Sequence, residues 1–335
     1  MTIEERVELL TNVVSKFPEL GDFGDRAALM ELVRLELPEG FVPPKQILHI
    51  ISANTAMAGM QSLVRGLILG SINWCKIPGV GLPRFEEFVE QLPYSLRCLV
   101  EVSPVLNEGW QENAEAIVVF GNDDTVEKFR SASRSNQIFI GYGNRWSGAV
   151  IYSDPDFSSI PHLINDICLY QQMGCLSAQI IWLHESVDTI EYGNRLAAEM
   201  KRYISQSALP TMDFQEAASV ARWRLSAEWK AVHNEKNRVW LSSGEPVWGV
   251  LLNDMEEAPG LSCLHRHVTL QIFSDFPQLG RLSESVSTLG IWPRSAQNLL
   301  EGLSASRICE VGEMQFPKPT WQQDGFPALG RLIRK

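Results

Sequence analysis

The chain has 335 residues, enough for about two α/β domains. Its 45% hydrophobic and 21% charged residues are the composition of a globular protein that buries a sizeable core. A formal net charge of −11 argues against a broad surface for nucleic acid or anionic membrane, because such surfaces need clustered Lys and Arg.

Residues 2–16 and 26–36 carry apolar positions at helical spacing with acids early in each, and LPEGFVPP breaks the chain after them. QILHIIS then reads as a buried strand, TAMAGMQSLVRGLILG as a helix stopped by glycine, and INWCKIP as a second strand ended by Pro78 and Gly79. That is a βαβ unit, which predicts parallel strands. FEEFVEQLPYSL reads as helix, RCLVEVS and AEAIVVFG as strands, DDTVEKFRSAS as helix and QIFIGYG as strand. GAVIY is a further apolar run of strand length. IYSDPDFSSIPHLINDICLYQQMGC opens on an Asp-Pro turn and becomes a helix running into Cys175. Residues 192–206 and 214–232 look helical, RVWLSS and PVWGVLL extended, and HVTLQIFS a strand. WPRSAQNLLEGL followed by ASRICEVGEM repeats helix then strand. No low-complexity linker interrupts the series.

Six cysteines at 75, 98, 168, 175, 263 and 309 form no CxxC pair and no metal-ligand spacing, which points to a reduced, cytoplasmic chain with no metal. MTIEERVELL has acids where a secretion signal has a basic region, and no stretch reaches the roughly 18 apolar residues of a membrane span. LHRH places His265 and His267 on one face if it is a strand, but no third ligand is near. The acids of NDMEEAPG read as a solvated loop, and the aromatic and basic face of QEAASVARWRLSAEWKAVHNEK as packing with a wet edge.

Phosphate signatures are weak: there is no GxxxxGK[ST], and GVG at 79–81 lacks the third glycine of a dinucleotide turn. Gly121 and Asn122 do lie where a strand ends, ahead of Asp123, Asp124 and Thr125 as candidate helix caps; a pyrophosphate there requires the acids to face away. A lone cysteine is most simply a buried filler, so Cys175 needs its neighbours to make it a nucleophile.

Together, ILHIISANTAMAGMQSLVRGLILGSINWCKIP, IVVFGNDDTVEKF, QIFIGYGNRWSGAVIYSDPDF and QQMGC resemble, in order and spacing, the landmarks of the aldehyde dehydrogenase superfamily. The branch they resemble is the LuxC-type acyl-CoA reductase, over about residues 45–180 and 305–335. The tail RICEVGEMQFPKPTWQQDGFPALGRLIR is similar to that family's ending. The resemblance implies an aldehyde-dehydrogenase-like α/β fold: a Rossmann-type cofactor domain at 1–140, an α/β catalytic domain at 141–304, and a C-terminal strand and tail at 305–335. It implies Cys175 as nucleophile, Asn54 as the amide donor to the substrate carbonyl, and Ser52, Ala53, Lys76, Gly79, Gly121, Asn122 and Gly174 at the cofactor, Gly174 as the place where backbone approaches the nicotinamide or substrate closely. An acyl-CoA or acyl-protein thioester would acylate Cys175 and be reduced to aldehyde. An acyl-transferring or acyl-activating partner enzyme and a homo-oligomer follow from the same resemblance. Gly141 stands where many superfamily members carry a general-base glutamate, which favours reduction over hydrolysis and makes Gly141→Glu a way to restore hydrolysis. Gly79 stands where NAD-preferring relatives carry an acid, which tilts the cofactor toward NADPH, with NADH as the alternative. The other readings are an aldehyde or semialdehyde dehydrogenase, and a degenerate homologue that carries acyl groups or scaffolds a partner.

Overall fold

The computed structural model describes residues 1–54, 56–206, 212–244, 247–254, 260–274, 286–300, 303 and 305–334. The chain divides into two compact units, Met1–Asn144 with Phe316–Lys335, and Arg145–Gln315. Most of the loop read as solvated at 253–260 lies outside the described residues, as do Thr55, Pro246 and residues 301–302 at the ends of expected elements.

The first unit begins with α1 (Ile3–Val14), whose N-terminus is closed by a reciprocal cap: Glu5 N donates to Thr2 Oγ1 and Thr2 N to the Glu5 carboxylate. After α2 (Arg26–Glu36) the chain alternates through β1 (Gln46–Ile50), α3 (Ala56–Leu69), β2 (Ile72–Lys76), α4 (Pro83–Glu90), α5 (Tyr94–Arg97) and β3 (Val100–Ser103). It continues through α6 (Trp110–Asn113), β4 (Ala116–Phe120), α7 (Asp123–Ser131) and β5 (Ile138–Tyr142). The strands form one parallel sheet in the order β3-β2-β1-β4-β5, the first five positions of a doubly wound nucleotide-binding sheet. Its central strands β1 and β4 are buried on both faces, as parallel strands under crossover helices must be. The helix expected over 85–96 is two, because Pro93 cannot continue α4 and instead caps α5.

The second unit comprises β6 (Trp146–Ile151), α8 (Ile160–Cys168), β7 (Ala178–His184), α9 (Thr189–Ser205), α10 (Phe214–His233), β8 (Arg238–Leu241), β9 (Gly249–Asn253), β10 (His267–Phe273), β11 (Val286–Trp292) and β12 (Arg307–Glu310). Its seven strands run β12-β11-β6-β7-β10-β9-β8, parallel except for the antiparallel β8 edge. Ala149, Ile181, Leu183 and Leu270 face a core with Leu163, Leu196 and Met200 of α8 and α9, while Val150, Ile180, Trp182 and Leu289 face a second core. Two strands have no counterpart in the sequence reading: β7, which lies between β6 and β10, and β11. The expected helix at 292–303 is a short 3-10 segment, Arg294–Leu300.

Two expected boundaries move, for a pairing reason each. β5 straddles 140/141, yet its whole length pairs with β4 and stays in the first unit. The tail divides at 315/316: β12 pairs with β11, whereas beyond it Leu329 and Gly330 donate main-chain N–H groups to Glu36 of α2, and Arg334 bridges Val42. The two histidines of LHRH do not share a strand face. Leu264, His265 and Arg266 take φ of 66°, 51° and 63°, so His265 precedes β10, and the Nδ1 of His267 lies 2.9 Å from the His265 carbonyl. Among the described residues no three His, Cys, Asp or Glu side chains gather as metal ligands, and no helix is long and apolar enough to cross a membrane.

Candidate active site

In the first unit the chain leaves β1 toward β2 and leaves β4 toward β5, in opposite directions from neighbouring strands paired through Ile50 and Val119. The carboxyl ends of β1 and β4 therefore flank a topological switch point, where open α/β sheets bind ligands. Ser52, Ala53 and Asn54 follow β1, Gly121 and Asn122 follow β4, and Lys76 ends β2 opposite Ile50. Six of the expected residues thus share one sheet edge, with Gly79 three residues past Lys76.

The local geometry fits a dinucleotide at this edge. Asn122 caps α7, its Oδ1 accepting from Thr125 N at 2.8 Å, which leaves the N–H groups of the first helical residues at the helix end. Of the two acids beside them, Asp123 is engaged elsewhere, accepting from Asn144 N at 2.9 Å and from Asn144 Nδ2 at 3.3 Å, while Asp124 is exposed. Gly79 is exposed, and a side chain built there meets no atom within 4 Å. Gly141 is different. It lies inside β5, where a Cβ would sit 2.4 Å from Val126 Cγ1 of α7, so a glutamate there would displace α7 before it could act as a base.

Gly174 and Cys175 belong to the second unit, just before the amino end of β7. α8 does not run into the cysteine as expected but stops at Cys168, after which Tyr170, Gln171 and Gln172 adopt φ of 51°, 54° and 66°. Three successive left-handed residues without glycine are costly and need outside support. Gln172, fully buried, supplies it: its Nε2 donates to Ala178 O at 2.7 Å, and its Oε1 accepts from His267 N and Ser262 Oγ, both at 3.1 Å. A β-turn follows, closed by Ser177 N donating to Gly174 O at 3.0 Å, with Cys175 at its second position. Ser147 Oγ of β6 donates to Cys175 O at 2.6 Å, and Gln315 Nε2 donates to Ser177 Oγ at 3.1 Å.

Burial sorts the cysteines. Cys75, Cys168 and Cys309 are buried, Cys175 and Cys263 partly exposed and Cys98 exposed, and desolvation pushes the thiols of Cys168, Cys263 and Cys309 up to about 12 and that of Cys75 higher still. A raised thiol supplies less thiolate at neutral pH, which disfavours those four as nucleophiles. Ser147, Gln172 and Gln315 are given no role in the sequence reading, although each lies inside a quoted stretch: QIFIGYGNRWSGAVIYSDPDF, QQMGC and the tail RICEVGEMQFPKPTWQQDGFPALGRLIR.

Comparison with known proteins decides the family. The family model described as acyl-CoA reductase (LuxC) matches residues 37–335. The chain belongs to the LuxC acyl-CoA reductase family. The long-chain acyl-protein thioester reductase of Photobacterium phosphoreum is 22% identical over 92% of this chain and 69% of its own length. Its counterpart 2 from Photobacterium leiognathi is 20% identical over 87% of this chain and 63% of its own. This LuxC-family chain therefore spans about two thirds of those relatives' length. Among solved structures, aldehyde dehydrogenase 21 of Physcomitrella patens, in complex with succinate, superposes with TM-score 0.72 at 15% identity, covering 100% of this chain and 85% of that one. Betaine aldehyde dehydrogenase of Staphylococcus aureus, in complex with NAD+, superposes with TM-score 0.73 at 12% identity, covering 100% and 84%. The fold is that of the aldehyde dehydrogenases.

Proposed function

We propose that the protein is an acyl-thioester reductase in which Cys175 is the nucleophile and the sheet edge of the first unit holds a nicotinamide dinucleotide, NADPH in preference to NADH. The observation that carries the reading is the setting of Cys175: it is partly exposed on a turn braced by three buried side chains, while Cys75, Cys168 and Cys309 are buried and the thiol of the partly exposed Cys263 is pushed up by desolvation. The names of the relatives, long-chain acyl-protein thioester reductases, support an acyl-protein thioester as donor beside acyl-CoA. Thiolate at Cys175 attacks the thioester carbonyl, the leaving thiolate departs, and the acyl group stays on sulfur. The backbone N–H of Cys175 and the amide of Asn54 are assigned as donors to the developing oxyanion. A bound reduced nicotinamide would supply hydride to the acyl carbon, and collapse of the resulting hemithioacetal returns the Cys175 thiolate and an aldehyde. Lys76 and the open position at Gly79 are assigned to the adenosine ribose and its 2′-phosphate.

The test is acyl trapping. Mixing the protein with acyl-CoA but no reduced cofactor should leave one acyl group per chain, and peptide mass mapping should find it on Cys175. Cys175→Ser should lose aldehyde formation by several orders of magnitude, the scale seen when a covalent nucleophile is removed. Acylation at the exposed Cys98, or reduction retained in Cys175→Ser, would overturn the assignment.

A further inference from the structure

We propose that Ser147 is a positioning residue for Cys175, setting the orientation of the turn peptide that carries the nucleophile; the proposal rests on the reading of Cys175 above. Ser147 is fully buried on β6 at a point where the strand loses register with both neighbours. The β6–β7 pairing shifts between Ser147 and Gly148, and the β11–β6 pairing shifts between Val286 and Leu289. Such irregularities leave main-chain groups without ladder partners. Within the β11–β6 irregularity, the N–H of Thr288 donates to Ser147 Oγ at 3.1 Å.

That bond fixes what the hydroxyl does next. An amide N–H can only donate, so Ser147 Oγ is the acceptor there, and its single proton goes to the carbonyl of Cys175 at 2.6 Å. The chain of donors runs from Thr288 N–H through Ser147 O–H to Cys175 C=O, with one polarity.

The carbonyl so held belongs to the central peptide of the Gly174–Ser177 turn. Rotation of that peptide plane is the soft coordinate of a β-turn, since turn types I and II differ by its reversal. Because the peptide is planar and trans, tying the carbonyl to the buried side points the N–H of Leu176 to the opposite side. Cys175 is partly exposed on this turn. Within the proposal the positive end of that fixed peptide dipole serves the Cys175 sulfur, where it favours the thiolate over the thiol. Leu176 does not have positive φ, so the turn is not of type II, which agrees with a carbonyl pinned in one sense.

The experiment follows Cys175 alkylation by iodoacetamide against pH in Ser147→Ala and in a control, Ser159→Ala. Ser159 is equally buried in the same unit and its hydroxyl is bonded to Tyr192 Oη at 2.7 Å, so the control deletes a comparable bond away from the turn. The alkylation midpoint should rise by about half a pH unit or more in Ser147→Ala and stay at the wild-type value in Ser159→Ala. Aldehyde formation in Ser147→Ala should lose roughly 10- to 100-fold in kcat with KM held within about 3-fold, the pattern of a misplaced reacting group. An unmoved midpoint in Ser147→Ala, or an equal shift in both variants, overturns the proposal. If the alanine variant does not fold, Ser147→Cys, which keeps the volume and weakens the donor, must move the midpoint in the same direction, and no movement overturns it. If wild-type protein makes no aldehyde from any acyl-thioester, the reductase reading fails while the alkylation profile still decides the role of Ser147.

Discussion

Gly79 and Gly141 are both glycines in the first unit, and the space around them makes them opposite experiments. A Cβ at Gly79 meets nothing within 4 Å, so a substitution there changes charge without disturbing packing. Gly79→Glu should lower NADPH affinity about 10-fold or more, change NADH affinity less, and leave Tm where it was; like charge beside a 2′-phosphate is the cause. Titrating both dinucleotides by fluorescence quenching measures it, and equal loss for the two would remove the 2′-phosphate from this position. At Gly141 the nearest atom to a built Cβ is 2.4 Å away on α7. Gly141→Glu is therefore expected to lower Tm without gaining hydrolysis of an acyl-enzyme, whatever its place in the family pattern.

At the scale of elements, the join between α3 and the sheet depends on Gly66. A Cβ there would lie 1.9 Å from Asn73 Oδ1 and 3.4 Å from His49 Nε2, the two atoms that hydrogen-bond across β1 and β2 at 3.0 Å. Gly66→Ala should cost roughly 1–3 kcal/mol, the usual range for overpacking, even though alanine is the better helix former. Urea unfolding would measure it, and a stabilised variant would show that α3 can lift off the sheet. This first unit was largely legible because Gly or Pro punctuates its strand and helix ends, as at Gly70, Pro78 and Gly121. β7 and β11 were not. AQIIWLH is a short apolar run that periodicity cannot assign, and VSTLGIW carries Gly290, which reads as a breaker. Gly290 is there for proximity instead: a Cβ would sit 2.8 Å from Met314 Sδ. The supports of Cys175 were illegible for a further reason. Ser147, Gln172 and Gln315 reach partners 28, 95 and 138 residues away, and such bonds leave no local pattern.

Across the whole molecule, three buried titratable groups make the two units answer pH differently. His49 in the first unit and His267 in the second are held at about 4 by desolvation, which outweighs the opposing bonds from Asn73 and from the carbonyls of His265 and Leu264. Below the ordinary value of 6.5 the unfolded chain takes up these protons and the folded chain does not, so each costs stability as pH falls from 6.5 to about 4. Asp166, also in the second unit and fully buried, is pushed from 3.8 up to about 7 by desolvation, against the N–H groups of Gly312 and Met314 that favour its charge. There the folded state binds the proton, so the stability it contributes is present at low pH and lost as pH rises from 3.8 through about 7. One proton corresponds to about 1.4 kcal/mol per pH unit. Asp166 therefore offsets His267 in the second unit, and nothing of the kind offsets His49 in the first among these three. His265, also lowered by burial, adds to the side of His267. Asp166→Asn removes the offset. Between pH 4 and 6.5 it should steepen the pH dependence of opening in the second unit by about 1.4 kcal/mol per unit and leave the first unit's unchanged. Hydrogen exchange of β7 and β1 amides, followed in the same samples, separates the two. An unchanged slope for β7 would mean that Gly312 and Met314 keep the Asp166 carboxylate ionised through the whole range, and that its two main-chain donors outweigh the burial that opposes them.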